Sequence, residues 1–308
     1  MLGTINASGA RLSVDPTSIK RLERGRFAAC AARGFIGRAL AVTIPVLLAA
    51  CASGNTAEQL LQPDPPEKMY ATADADLGSG RWERAAKRFE DLDRDHPYSP
   101  EARRAMVMAA YAYYRAGKSA EAIATARRYT SMHPGTADAP FAHHIIASAY
   151  FDSMTGPATD QSVTRKALAE YQILKTRYPD SKYAQEADNR IRVAQDLLAA
   201  SEMNVGRYYL KRGNHVAAIN RFKVVVEEYQ QTRHVEEALM RLAEAYMALG
   251  ITNEAQTAVA ILGHNFPNSP WYKSAYALIQ SDGLAPREDT GSWMSRALAN
   301  IRLPRIFN

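Results

Sequence analysis

Apolar and polar positions follow the helical period of 3.6 residues over most of the chain, from residue 69 to about residue 279. Ala, Leu, Tyr, Glu and Arg dominate these stretches, and signals for β-strands are almost absent. The β-branched run at 224–226 lies inside a stretch of helical period. The pattern therefore predicts an all-α fold.

The helical pattern repeats. One set of residues recurs 133 positions later: Ala110, Tyr113, Gly117, Ala122 and Pro134 become Ala243, Tyr246, Gly250, Ala255 and Pro267. A second set of positions starts 37 residues before the first set, and its two halves are again 133 residues apart. They are Ala73, Asp76, Gly80, Ala85 and Phe89, which correspond to Gly206, Tyr209, Gly213, Ala218 and Phe222. A fifth unit starts near Ala147 and carries eight extra residues around Gly156. We predict repeats near 67–100, 101–137, 138–182, 198–233 and 234–270, the third and fourth separated by a stretched second helix at 180–200.

The residue type at each recurring position of this internal repeat has a physical reason. The small residue allows two helices to approach, the tyrosine fills the space beside it, the glycine permits the turn, and the proline ends the second helix. This order resembles the tetratricopeptide repeat (TPR), a helix-turn-helix unit that stacks into a superhelix. The expected architecture is a superhelical solenoid of about five TPR units over 67–280.

The positive charge is concentrated at the N-terminus. Residues 1–50 contain seven basic and two acidic residues, whereas the remainder of the chain is almost neutral. A neutral body lacks the basic surface of a nucleic-acid-binding protein. The basic leader ends at Arg38 and precedes an apolar run at 39–48, which is too short to cross a bilayer and is typical of a secretory signal.

A cysteine follows the apolar run. The sequence LAAC at 48–51 resembles the lipobox of bacterial lipoproteins, in which the cysteine is acylated after the leader is removed. Residues 1–50 would then be a lipoprotein signal peptide, and Cys51 the lipidated first residue. The long basic part of this leader suggests a translation start downstream of Met1. The alternative is an ordinary signal peptide with a chance cysteine. Residues 51–66, with Pro63, Pro65 and Pro66, are predicted to form a flexible tether.

The body offers no recognisable catalytic chemistry. It contains no H-E-x-x-H sequence, no glycine-rich phosphate loop and no cysteine after Cys51. Adjacent His143 and His144 project about 100° apart on a helix and cannot easily share one metal ion. We therefore predict neither an enzyme nor a metal site, and no cofactor other than the lipid on Cys51.

Binding is the stronger hypothesis, because stacked helix pairs form a concave surface lined by their first helices. The repeat positions predict which side chains face this groove: Tyr70, Asp74, Arg104, Val107, Tyr111, Tyr114, Arg115, Phe141, His144, Ser148 and Phe151. Aromatic pockets flanked by arginines suit an extended peptide, with its carboxylate on Arg104 or Arg115. The alternative is that half of the tyrosines are core residues, above all the repeated Tyr113, Tyr150, Tyr209 and Tyr246.

Several segments together resemble the BamD family of lipoproteins, also called the YfiO or ComL family, over about residues 62–275. They are PDPPEKMYA at 63–71, HPY at 96–98, AYY at 112–114, RYPDSKY at 177–183 and VGRYY at 205–209. The resemblance implies a periplasmic scaffold lipid-anchored to the outer membrane within the β-barrel assembly (BAM) complex. It also implies that the N-terminal repeats receive unfolded outer-membrane β-barrel proteins.

The resemblance further implies that the C-terminal repeats dock on a POTRA domain of BamA, beside other BAM lipoproteins. Arg221 matches the family's BamA-contacting arginine; the less favoured alternative is a solvated surface charge. A generic envelope TPR lipoprotein adaptor for the cell-wall or division machinery is the alternative function. Residues 281–308 extend beyond the family pattern, and a short amphipathic helix or a disordered tail are equal alternatives there.

Overall fold

A computed structural model describes residues 63–298, and every regular element in that range is an α-helix. The predicted leader, Cys51 and most of the tether lie outside the described residues. The helices are α1 (Pro66–Gly78), α2 (Trp82–Asp95), α3 (Pro100–Arg115), α4 (Ser119–Met132), α5 (Ala139–Asp152), α6 (Ser162–Arg177), α7 (Lys182–Lys211), α8 (His215–Glu228), α9 (Val235–Ala248), α10 (Thr252–Asn265), α11 (Pro270–Ser281) and α12 (Trp293–Leu298).

Helices α1 to α10 form five consecutive antiparallel pairs, and each helix packs against the next along the chain. The first helices also contact one another directly, since α3 lies against both α1 and α5, and α5 lies against α7. Helix α11 packs on α9 and α10 in the place of a sixth first helix. The predicted all-α solenoid of helix-turn-helix repeats is confirmed.

The turns inside the pairs use the glycines that the repeat predicts. Gly80, Gly117, Gly213 and Gly250 all have φ between 73° and 75°, a left-handed conformation that glycine adopts without steric cost. At Gly117 the backbone N–H bonds back to the carbonyl of Tyr114, and the following N–H bonds to that of Tyr113. These bonds satisfy carbonyls at the helix end and fix the reversal of the chain.

The apolar core is divided into three clusters along the solenoid. The N-terminal cluster surrounds the fully buried Phe89, and the C-terminal cluster surrounds its repeat equivalent, Phe222. A smaller cluster between them contains Tyr171 from α6 and Ala187 from α7. Because the second half of α7 packs in the C-terminal cluster, this one helix connects the middle and C-terminal cores.

The helical stretch at 180–200 differs from the prediction. It is the N-terminal half of the 30-residue α7, the first helix of the fourth pair, and not an extension of the second helix of the third. Helix α6 ends at Arg177, and Pro179 cannot continue it. A new helix starts where the Ser181 hydroxyl accepts a hydrogen bond from the backbone N–H of Ala184 at 3.2 Å.

The C-terminal segment returns along the second helices after α11. Of the two alternatives for this region, the short helix is the one that the structure shows, as α12, while residues 299–308 lie outside the described part. Helix α12 contacts α8 and α10, and the Met294 side chain is fully buried. The segment therefore packs against the last two repeats.

Candidate peptide-binding surface

The first helices of the first four pairs, α1, α3, α5 and α7, lie side by side and form one continuous surface. All eleven predicted groove residues come from α1, α3 and α5, as expected from the repeat register, with Phe151 in the last turn of α5. The structure joins these residues to side chains of α7 and α2 that the sequence did not predict.

An aromatic row crosses three of the helices. The rings of Tyr111 on α3 and Phe141 on α5 are 5.5 Å apart, and Phe141 stacks on Tyr183 of α7 at 5.4 Å. The His144 ring lies 4.8 Å from Tyr183, and burial lowers the pKa of His144, so its ring is neutral at pH 7. Tyr183 was not among the predicted residues, although it belongs to the quoted RYPDSKY segment.

Arg115 extends this row towards α2. Its guanidinium lies 4.4 Å above the ring of Trp82, the first residue of α2, and its Nη1 donates a 2.7 Å hydrogen bond to the hydroxyl of Tyr111. The remaining donors of this exposed arginine are free to bind a carboxylate. Stacking on Trp82 holds the group in place before any ligand arrives.

Arg104 and Tyr70 form a second cationic position at the N-terminal end. Burial raises the pKa of the Tyr70 hydroxyl, and the positive charge of Arg104 acts in the opposite direction, which places the two groups close together. The Tyr70 ring packs edge-on against Phe89 at 5.3 Å. Arg104 and Asp74 are both exposed, so this end of the surface offers charges of both signs.

A polar cluster marks the other end. The Tyr114 hydroxyl donates a 2.7 Å hydrogen bond to the carboxylate of Asp152, while Arg190 of α7 lies 4.5 Å above the Phe151 ring and 3.8 Å from Asp152. Burial, followed by the bond to Asp152, raises the pKa of Tyr114 to about 12. Asp152 and Arg190 were not predicted, because α7 brings Arg190 to this place only through tertiary packing.

Two predicted groove residues are not available to a ligand. Val107 and Ser148 are 1% and 2% exposed. Val107 packs in the N-terminal core, and the Ser148 hydroxyl lies 3.4 Å from both His144 and Tyr171. The repeat register placed them on the expected helices, but packing buries both side chains. Tyr113 and Tyr246 are buried, as the packing alternative for the repeated tyrosines predicted.

Arg221 lies apart from this surface. It is on α8, the second helix of the fourth pair, with a side chain that is 45% exposed and a 3.1 Å ion pair to Glu202 of α7. An exposed ion pair of this kind contributes at most about 1 kcal/mol to stability. Arg221 can therefore exchange Glu202 for another carboxylate at little cost to the fold.

The described residues contain no group of three or more His, Cys, Asp or Glu side chains placed to hold a metal ion. Within the same range, 63–298, no helix is both long and apolar enough to cross a membrane.

Comparison with known proteins identifies the family. The model of the YfiO family, described as an outer membrane lipoprotein, matches residues 62–262. This chain belongs to the YfiO family. Among its relatives, the outer membrane protein assembly factor BamD of Caulobacter vibrioides is 41% identical over 260 residues, which cover 82% of this chain and 85% of the relative.

Two further members of the YfiO family are similar over most of their length. BamD of Rickettsia prowazekii is 33% identical over 240 residues, covering 78% of this chain and 95% of the relative. BamD of Neisseria gonorrhoeae is 35% identical over 250 residues, covering 77% and 94%. Each is named an outer membrane protein assembly factor. The range matched by the family model, 62–262, includes all of the helices that carry the aromatic row.

Proposed function

We propose that this protein is an outer-membrane protein assembly factor of the BAM complex, a lipid-anchored periplasmic scaffold that binds BamA and β-barrel precursors for folding and insertion. The YfiO family and the names of the relatives support this assignment. The observation that carries substrate binding is the aromatic row through Tyr111, Phe141 and Tyr183, with a stacked arginine at one end. The role is binding and positioning, not catalysis.

An unfolded precursor would bind as an extended peptide across the first helices. Its aromatic side chains would pack against the row, where each aromatic contact contributes roughly 0.5–1.5 kcal/mol beyond the burial of apolar area. A terminal or side-chain carboxylate would bind Arg115, whose guanidinium is already oriented by Trp82 and Tyr111. Because the aromatic contacts need only a ring face, this surface suits precursors of varied sequence.

BamA would dock on the C-terminal half through Arg221. A carboxylate from a POTRA domain would replace Glu202 as the partner of the guanidinium. Because Arg221 lies on a second helix and the aromatic row on first helices, the two partners would contact different faces. Both could then be held at the same time, as an assembly scaffold requires.

The lipid on Cys51 would hold the solenoid at the outer membrane. Eleven residues lie between Cys51 and Pro63, so the fully extended connection of twelve residue-to-residue steps reaches at most about 40 Å. Acyl chains contribute about 0.8 kcal/mol for each buried CH₂ group, and several chains together anchor a protein stably. The binding surface would therefore remain close to the membrane into which precursors insert.

Affinity purification of the detergent-solubilised protein tests this proposal. We expect to recover a sixteen-stranded barrel protein with POTRA domains. Arg221→Glu should reduce that recovery, because the new carboxylate would repel the carboxylate of the partner. Tyr114→Ala should weaken binding of a precursor peptide and leave the barrel protein bound. Recovery of cell-wall or division enzymes without the barrel protein would refute the proposal and favour the envelope adaptor.

A further inference from the structure

The first helix pair has a buried carboxylate at a position where the next two repeats have tyrosine. Asp76 on α1 corresponds to Tyr113 and Tyr150. Each of these tyrosines bonds a charged side chain of the preceding second helix: Tyr113 donates to Glu90 on α2, and Arg127 on α4 donates to Tyr150. Among the described residues no helix precedes α1. Asp76 therefore lies at the N-terminal end of the solenoid, where the stacking of helix pairs stops.

Three arginines from the start of α2 surround this carboxylate. Their guanidinium nitrogens lie 2.6, 2.9 and 3.0 Å from its oxygens, in the order Arg81, Arg84 and Arg88. The Asp76 side chain is only 3% exposed, whereas the three arginine side chains are 40–53% exposed. In the described part of the chain, none of the three pairs with another carboxylate. One buried negative charge thus holds three positive charges together, and the positive excess faces solvent.

The position of these cations is unfavourable for α2 itself. The N-terminus of a helix carries a partial positive charge, so basic side chains there are repelled. Lys87 adds another exposed positive charge to the same half of α2, while Glu83 in the first turn is engaged by Lys118 at 3.2 Å. The charge is therefore concentrated against the helix dipole, which indicates a negative ligand outside the helix.

The surface around the arginines suits a solvated anion better than a protein partner. A shallow hollow of about 430 Å³ lies beside them, and its lining includes Arg81, Arg84 and Trp82. Neither α1 nor α2 exposes a large apolar side chain. The centre of a protein–protein interface is normally apolar and fully buried on binding. This surface offers charge and hydrogen-bond donors without such a centre.

We propose that Arg81, Arg84 and Arg88, here called the arginine cluster, bind the phosphate groups of membrane lipids and hold the first helix pair against the membrane. Guanidinium groups match phosphate oxygens with pairs of parallel hydrogen bonds. The cluster belongs to the helix pair that directly follows the tether, whose limited reach keeps it near the lipid on Cys51. One acyl signal combined with a basic patch anchors a protein more firmly than either does alone. This inference rests on the lipid anchor of the proposed function.

Short-range fluorescence quenching on vesicles tests the proposal with the mature, lipidated protein. A fluorophore is attached to Ser79→Cys, an exposed position in the turn next to the cluster, and no other cysteine follows Cys51. The vesicles are phosphatidylcholine with one quarter phosphatidylglycerol, and the quencher is a nitroxide on the lipid headgroup. We expect strong quenching, which pure phosphatidylcholine vesicles or high salt should reduce because both weaken the attraction between charges.

The variant Arg81→Glu/Arg84→Glu should lower the quenching at least about fivefold, since one basic group near an anionic surface contributes about fivefold to binding. Lys87→Glu should also lower it, and this change leaves Asp76 and its three arginines in place. The matched control is Arg192→Glu/Arg212→Glu, the same change of charge at exposed residues at and near the end of other helices. It should leave the quenching unchanged.

The outcomes separate this inference from the anchor on which it rests. A protein that stays on the vesicles but shows equal quenching in the wild type and in both α2 variants overturns the role of the arginine cluster alone. Loss of precursor-peptide binding in Arg81→Glu/Arg84→Glu, with unchanged quenching, overturns it in favour of an acidic peptide as the ligand. A protein that leaves vesicles of either composition overturns the lipid anchor and this inference with it.

Discussion

Gly206 packs directly against a core ring, and replacing it with alanine should destabilise the protein. Gly206 lies in the interior of α7 at the small-residue position of the repeat. A Cβ atom added there would be 2.4 Å from Cε1 of Phe222 and 2.8 Å from two further ring atoms. Phe222 is fully buried on α8, so its ring has no free space into which it can move.

The expected magnitude follows from two opposing effects. Carbon atoms in good contact lie about 3.5–4.0 Å apart, so the added methyl group overlaps the ring by about 1 Å, and overpacking of a core costs roughly 1–3 kcal/mol. Alanine is better than glycine in a helix interior by about 1 kcal/mol, which offsets part of this cost. We therefore expect a net decrease in the free energy of unfolding of about 1 kcal/mol.

Thermal and urea unfolding, monitored by circular dichroism, measure this effect. Gly78→Ala is the matched control, because Gly78 also lies in a helix but an added Cβ would have no atom within 4 Å. Gly206→Ala should lower Tm relative to Gly78→Ala by roughly 2–4 °C for each kcal/mol. If both variants change Tm equally, or if Phe222→Leu does not relieve the cost of Gly206→Ala, the close packing of α7 on α8 is not as described.

Three further predictions concern the anchor and the binding surface. Cys51→Ala should release the protein from the membrane fraction or leave it unprocessed, and unchanged partitioning and processing would exclude lipidation. Tyr183→Ala, which removes ring contacts to Phe141 and His144, should weaken precursor-peptide affinity about 2- to 10-fold while BamA capture persists. The folded-state pKa of Tyr114, about 12, exceeds the ordinary tyrosine value of about 10. The contribution of this shift to the free energy of unfolding is therefore complete below pH 10 and is lost as the pH rises towards 12. Tyr114→Phe should lessen that loss of stability at alkaline pH, which unfolding measurements over a range of pH can detect.

The sequence predicted the repeats well because their determinants are local. The left-handed turns at Gly80 and Gly250 follow from glycine at one position of each unit, and the end of a helix at Tyr178 follows from the proline after it. Such features depend on residues within one helix pair, where backbone sterics decide the outcome. The same locality explains why the groove residues of α3 and α5 were assigned to the correct helices.

The binding surface was predicted only in part, because it is made by helices that are distant in sequence. The burial of Val107 in the N-terminal core and the contact of Ser148 with Tyr171 of α6 both depend on tertiary packing. Tyr183 and Arg190 reach the surface because α7 starts at Lys182, well before the predicted fourth repeat at 198–233, and lies against α5. The spacing of residues within one repeat cannot predict these positions, because each depends on a helix of another repeat.

The sequence by itself determined the class of the fold, the number of helix pairs and the position of their turns. Those properties follow from helical periodicity and from glycine and proline sterics, while the lipid anchor at Cys51 stays a prediction. Only the tertiary structure decided which side chains share the first-helix surface, and that α12 packs against α8 and α10. The reason is that lateral packing between repeats joins residues whose spacing in the chain carries no periodic signal.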